Sequence, residues 1–335
     1  MHTGKSYKLP EFLLWTRRKI YVLVVLSITP LALYQLAGLK WLAIPWGITF
    51  LLGTTVALSA GFKNLQTYNR MQEAQQVWAS IVSSSRAWGA MCRDYVADPD
   101  GARQLVYRHF AWLTALRYQM RVVKVWENMG KAQNVEYKRL YSIPERERTL
   151  ASELARYLQG REATQVLMSD SRALQVLALQ SREMKELLGS GALTAPQFSE
   201  LQKMIRELIE QQSRSERIKN FPYPRQHAFI NSLFVRILCF LLPFGMIGEF
   251  ERLSGAVDGW AKGYMVWLSV PLSLLISWMY ISLDQVGEST ENPFEGGAND
   301  VPISHICEEI ETELREMIGE ANVPAPSRLQ SDIAV

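Results

Sequence analysis

The chain has 335 residues, 48% of them hydrophobic and 21% charged, with a formal net charge of +3. That length leaves one large domain or two open, and so small a net charge gives no reason to expect a nucleic-acid partner. The three scattered cysteines, Cys92, Cys239 and Cys307, exclude a disulfide framework and share no metal-ligand spacing; they read as reduced or membrane-buried thiols.

In chain order, residues 1–19 form a basic lead that carries Lys5, Lys8, Arg17, Arg18 and Lys19. No charge falls between Lys19 and Lys40, or between Lys40 and Lys63. Each interval is long enough for a helix to cross a bilayer core, which takes about 20 mostly apolar residues. Span 1 is expected over about Ile20–Leu39, kinked at Pro30 because proline removes a backbone bond and crowds the preceding turn. It is too long for the apolar region of a signal peptide, about 7–15 residues. Span 2 is expected over about Trp41–Phe62, where Gly47, Gly53, Ala57, Ser59, Ala60 and Gly61 allow close helix approach.

Residues 63–225 are charged and helically periodic, with breaks expected at Asp98-Pro99-Asp100-Gly101, near Ile143-Pro144, at Gly189-Ser190-Gly191 and at Phe221-Pro222-Tyr223-Pro224. Trp78, Ile81 and Val82 share one helical spacing, as do Leu201, Met204, Ile205 and Leu208. They predict long amphipathic helices outside the bilayer. Span 3, about Ala228–Gly248, contains Arg236, which either faces protein or water or snorkels from a shorter span. Span 4, about Trp260–Leu283, includes a charge-free run from Gly263 and is expected to kink at Pro271. A loop over 284–304, a Glu-rich amphipathic helix near 305–318 and a disordered end complete the chain. The expected organisation is a lead at 1–19, two spans at 20–62, a cytosolic helical region at 63–225, two spans at 226–284 and a cytosolic C-terminal segment at 285–335. Positive charge beside the first span and in the middle region puts both termini in the cytosol.

Catalytic patterns are lacking, so no enzyme, cofactor or metal is expected. His2, His109, His227 and His305 make no HExxH. Gly189-Ser190-Gly191 is no nucleophile elbow, and Gly296-Gly297 lacks the Lys-Ser/Thr of a phosphate loop. Glu308, Glu309, Glu311 and Glu313 read as a solvated helix face.

Three segments carry a family resemblance. The first runs from Gly61-Phe62-Lys63-Asn64-Leu65-Gln66-Thr67-Tyr68-Asn69-Arg70 to Glu73 and Trp78. The second is Arg217-Ile218-x-x-Phe221-Pro222-Tyr223-Pro224, with Leu242-Pro243-Phe244 in the following span. The third is Glu291-Asn292-Pro293-Phe294-Glu295-Gly296-Gly297-Ala298-Asn299-Asp300. In this order around four apolar runs they resemble the bestrophin family, especially its bacterial members, over roughly residues 15–318.

The resemblance implies an all-α, four-span membrane protein with a large cytosolic helical bundle. It also implies assembly with itself as a homopentamer around one pore for small inorganic ions, in the inner (plasma) membrane. Its neck positions correspond here to Thr54, Leu58 and Phe62 on span 2, with Thr54 departing from the family's apolar choice. Such i, i+4, i+8 positions share one helix face, and rings of Leu and Phe would form a dry constriction that gates by dewetting. A second, cytosolic aperture corresponds loosely to Pro196, Gln197 and Phe198. Of the acidic run that binds calcium in animal members, Asp300 alone keeps a matching carboxylate, so no calcium clasp is expected and Asp300 is expected to cap the following turn or helix. Chloride is the default ion, and a sodium channel of the same fold is the alternative. Lys63 is rotated about 100° from Phe62 and is expected to meet a neighbouring helix or the lipid surface rather than the pore. A membrane-anchored interaction protein that uses 63–225 as a docking platform without conduction is the rival from another class. A coupled transporter would show inverted repeats, but spans 1–2 do not resemble spans 3–4.

Overall fold

The computed structural model describes residues 1–4, 7–131, 134–135, 141–256, 263–324 and 333–335. The described residues form helices and one isolated antiparallel bridge, His2 to Ile333, but no strand. Helix α1 spans Leu9–Leu36 and α2 Trp46–Tyr95; α3 spans Pro99–Met120. Short helices α4 (Pro144–Glu147), α5 (Leu150–Leu154) and α6 (Gly160–Met168) lead to α7 (Arg172–Gly189) and α8 (Ala195–Asn220). Then come α9 (Arg225–Ala256), α10 (Ser269–Ser289) and α11 (Ile303–Met317).

Four stretches are long and apolar enough to cross a membrane: Leu9–Leu36, Lys40–Tyr95, Arg225–Ala256 and Met265–Ser289. Their termini follow local chemistry. Asp98 caps α3 by accepting from the backbone N–H of Asp100 and Gly101, and Pro99 fills a first-turn position that needs no donor. Thr194 and Gln197 form a capping box at the start of α8. The breaks expected at residues 98–101, 143–144, 189–191 and 221–224 all coincide with helix ends.

Three expectations are corrected. Helix α1 begins at Leu9 rather than Ile20 because its first turns pack back on the last span: Phe12 lies edge-on to Trp278 at 5.6 Å, and Trp278 Nε1 donates to Thr16 Oγ1 at 3.1 Å. Pro271 does not kink span 4. Helix α10 starts at Ser269, so Pro271 occupies the first turn, after a 3-10 segment over Met265–Leu268. The expected span-4 start at Trp260 lies outside the described residues. The chain end is also not free: Ile333, Ala334 and Val335 are buried, with Ile333 and Val335 clustered on Met129 and Ile143. Ala334 N–H donates to Met1 O at 2.8 Å and His305 N–H to Val335 O at 3.0 Å, so both chain ends pack on the same side of the molecule.

There are two core regions. In the membrane layer Leu23, Val56, Val235, Leu238 and Cys239 cluster, and α2 meets α9 so closely that a Cβ on Gly245 would lie 2.3 Å from Thr49 Oγ1. The extramembrane core is larger. Trp78, Trp88, Trp112, Phe110 and Phe294 are all fully buried, packed among aliphatic side chains of α2, α3, α7, α8 and α11. Cys92, Cys239 and Cys307 are free and buried. The acidic face of α11 is only partly solvated: Glu313 pairs with Arg86, whereas Glu311 is buried, bonded to Tyr157 Oη at 2.6 Å and paired with Arg315.

Asn231 and Ser232, about one turn before Arg236 on α9, both donate to Asp284. Arg236 itself is exposed beside Ile237 and Phe240, and within one chain its side chain is not buried against protein.

His109 is fully buried between Trp88 and Trp112, with Nε2 2.9 Å from Ser85 Oγ. Burial pushes its pKa from 6.5 down to about 3. Between those values the unfolded chain binds the proton and the folded chain does not. Stability is therefore complete above about pH 6.5 and falls as pH drops toward 3, by up to about 1.4 kcal/mol per pH unit. Chemical unfolding of the detergent-solubilised protein across this range should show that slope, and His109→Gln should lack this part of it. Identical slopes for both would refute the assignment.

Candidate functional site

Helix α2 is one unbroken element of 50 residues, about 75 Å long at 1.5 Å per residue. It passes from the membrane core into the extramembrane core and buries the same side in both. Val56, Ala60, Lys63, Thr67, Met71, Ala74, Trp78, Ile81, Ser85 and Trp88 form a buried stripe at three- and four-residue steps. The opposite side is bare along most of the helix. Leu51, Leu58, Phe62 and Leu65 are 68%, 63%, 62% and 56% exposed. Thr54 is exposed among them, and the stripe continues through Asn69, Gln72, Gln76, Ser80 and Ser83.

At 100° per residue these positions stay within about 40° of one line. No charged residue lies on that line from Gly47 to Ser83. Its chemistry changes once, from apolar through Leu65 to carboxamides and hydroxyls from Asn69 onward. Thr54, Leu58 and Phe62 thus share one exposed face. The Thr54 hydroxyl donates to Leu51 O at 2.9 Å, so its proton is used within the helix and its oxygen remains an acceptor. The continuation below Phe62 was missed in the sequence because the charged residues after Lys63 suggested a boundary there. Walking the same three- and four-residue steps onward from Phe62 would have found it.

The residues behind this face hold it in place. Lys63 is 3% exposed, and its Nζ lies 2.8 Å from Asp284 Oδ1 on α10. That oxygen also accepts from Asn231 Nδ2 at 3.0 Å and Ser232 Oγ at 3.2 Å on α9. Lys63 therefore joins three spans at the membrane boundary and points away from the exposed face, onto a neighbouring helix as its rotation from Phe62 requires. Asn64 Nδ2 donates to Leu283 O at 3.2 Å, and Gly287 provides the space: a Cβ there would meet Asn64 Oδ1 at 2.2 Å. One turn further, Arg70 donates to the carbonyls of Ile218 and Phe221, and Arg217 pairs with Glu73. The first two sequence motifs are thus two sides of one clamp.

The third motif is a tight turn. Phe294 is fully buried 6.2 Å from Trp78 and sits at φ 74°, a left-handed conformation rare outside glycine. Asp300 holds that conformation. It accepts from the N–H groups of Phe294, Gly296 and Val301, each at 2.7 Å, and from Arg121 Nη1 at 3.2 Å. Asp300 therefore ties back the turn before it rather than capping α11, whose N-cap is Pro302 with no side-chain bond. Asn292 Nδ2 reaches Trp126 O at 3.4 Å, and Pro293 is buried in the same turn.

Pro196, Gln197 and Phe198 open α8, away from the α2 stripe in sequence and role. Gln197 Oε1 accepts from the Thr194 N–H at 3.0 Å and from its hydroxyl at 2.7 Å. Phe198 is half-buried on the extramembrane core, and Pro196 is exposed.

Lys63→Met should leave Asp284 buried without a cation and cost about 3–5 kcal/mol. Adding Asp284→Asn in the same chain should recover most of that loss in thermal unfolding of the purified protein. A single variant as stable as the parent would show that the pair does not hold the spans together.

Residues 14–316 match the model of the Bacterial/Fungal Bestrophin protein family. The voltage-dependent anion channel-forming protein YneE of Escherichia coli strain K12 is 26% identical over 292 residues, 87% of this chain and 82% of that protein. YneE of Salmonella typhimurium is 25% identical over 305 residues, covering 91% and 86%. A crystal structure of a bacterial bestrophin homologue from Klebsiella pneumoniae superposes with a TM-score of 0.76 at 23% identity, covering 91% of this chain and 99% of that one. Four apolar spans, an all-helical extramembrane bundle and a family match over nearly the whole length agree: the chain belongs to the bacterial and fungal bestrophin family.

Proposed function

We propose that this protein is a passive channel for small monovalent ions, formed by five copies of the chain around a conduit lined by the exposed face of α2. The observation that carries the reading is that face itself. In a single chain, Leu51, Leu58, Phe62 and Leu65 are exposed side by side on a helix whose other side is already packed. A ring of such faces satisfies both needs at once: the apolar upper part closes on itself, and the neutral polar lower part lines a wetted vestibule. Thr54, Leu58 and Phe62 form the neck, with Leu58 and Phe62 as the dewetting gate. Pro196 is the exposed member of the proposed aperture at the start of α8. The membrane is the inner membrane. The extramembrane bundle, with both chain ends packed on it, lies on the cytosolic side, a reading supported by the basic residues Arg17, Arg18 and Lys19.

Anions are the proposed cargo, supported by relatives named as anion channel-forming proteins. The alternative is a monovalent-cation channel of the same fold: the stripe from Gly47 to Ser83 has no charged side chain and so chooses no sign, and Lys63 is paired with Asp284 behind it.

Two measurements in planar bilayers test this. Leu58→Ala or Phe62→Ala should raise the resting conductance severalfold by widening an apolar constriction; unchanged conductance in both would remove α2 from the pore. In a chloride gradient the reversal potential should move toward the chloride equilibrium value. Movement toward the sodium value would select the alternative, and equal permeability would overturn both.

A further inference from the structure

The described residues enclose a cavity of about 340 Å³ where the start of α1, the end of α10 and the Asn-Pro-Phe turn meet. That is the lower end of the range for small-molecule sites, about 300–1,000 Å³. Its wall is mainly aromatic and thioether: Tyr7, Phe12, Trp15, Tyr141 and Met129. The rings are fixed. Phe12 lies 6.3 Å from Tyr7 and 6.0 Å from Trp15, Trp15 Nε1 donates to Asn134 Oδ1 at 3.4 Å, and Tyr141 Oη donates to Gly296 O at 3.1 Å.

One carboxyl lines this wall. Glu295 is 3% exposed and accepts from the Asn128 N–H through Oε2 at 2.8 Å. No ion pair to Glu295 is formed among the described residues, although nearly every other buried carboxylate of the bundle has an arginine or lysine partner. A buried carboxyl without a cation is costly. Its placement against aromatic faces is the arrangement that receives a cation of low hydration.

We propose that this cavity is a binding site for an organic ammonium ion, with the aromatic side chains around its alkyl groups and the Glu295 carboxylate as its counter-charge. Other ligand classes fit the wall less well. A calcium ion needs six to eight oxygens, and among the described residues no cluster of three or more metal-ligating side chains exists here. An anion would face a carboxyl with no lysine or arginine among the described residues of the lining. A neutral apolar molecule would bring no counter-charge to the Glu295 carboxylate.

Binding at this cavity is coupled to protons. Burial, with Asp300 and Glu127 nearby, pushes the Glu295 pKa up to about 8, against the opposing pull of the Asn128 N–H and Lys219. Arg146 approaches only the main-chain oxygen of Glu295, at 3.1 Å. The carboxyl is therefore largely protonated at neutral pH and must release its proton when a cation binds. Affinity should rise with pH, up to about tenfold per unit below pH 8, and level off above it.

The test is calorimetric titration of the full-length, detergent-solubilised protein with benzyltrimethylammonium, whose charge does not titrate, and with neopentylbenzene, its uncharged isostere. The expected result is saturable binding of the ammonium, at least tenfold tighter than the isostere at pH 8 and weaker at pH 6. Glu295→Gln keeps an acceptor for Asn128; it should lose the preference for charge and flatten the pH dependence. Equal affinity for the two probes, or pH-independent binding in the unmodified protein, would overturn the proposal even if the variant failed to fold. The readout requires no ion conduction, so its failure is separate from failure of the channel reading.

Discussion

One constraint organises the molecule: α2 crosses from lipid to water without a break. An unbroken 50-residue helix that keeps its three- and four-residue stripe does not turn its buried side between the two layers, so both cores sit on the same side of it. The membrane core uses Val56 and Ala60, and the extramembrane core uses Ala74, Trp78, Ile81 and Trp88. The opposite side is left bare along most of its length, and this is why one chain presents an exposed face with an apolar half and a polar half.

The boundary between the layers is where such a helix is easiest to tilt, and it is where the polar contacts are densest. Lys63 with Asp284, Asn64 beside Gly287, Arg70 on two carbonyls and Arg217 with Glu73 all fall within about three turns. Each uses a charge-assisted bond or a close backbone approach, which fixes orientation more sharply than apolar packing. The Asn-Pro-Phe turn completes the joint from below. It inserts Phe294 beside Trp78, and Asp300 holds the left-handed backbone that makes the insertion possible. The same turn carries Glu295 into the aromatic cavity, so the bracing of the helix and the proposed ammonium site share a backbone.

The electrostatics of the exposed face follow from the packing. The first charge after span 2 is Lys63, and its burial against Asp284 keeps it off the exposed face. In the proposed channel, ion entry would be set by the ease of wetting Leu58 and Phe62 and by the dipoles of Asn69, Gln72 and Gln76, with no fixed charge from the exposed face of α2.

Much of this was legible in the sequence. Charge-free runs of the required length marked three spans, and an apolar run interrupted by Arg236 marked the other, because a bilayer imposes a length that no other solvent does. Turn signals rich in proline and glycine marked the junction of α2 and α3, the start of α4 and the ends of α7 and α8, because their backbone preferences are local. The i, i+4, i+8 relation of Thr54, Leu58 and Phe62 is helix geometry and needs no tertiary information. The uninterrupted passage of α2 through residue 63 was hidden, because a change in composition looks like a boundary even where the backbone continues. The first-turn position of Pro271, the docking of Ile333 and Val335, the back-tied role of Asp300 and the burial of Glu295 with no ion pair among the described residues were hidden as well. Each depends on groups far apart in the chain meeting in space. Sequence periodicity reports which side of a helix is apolar, and only the folded chain decides what that side, and each polar group on it, comes to touch.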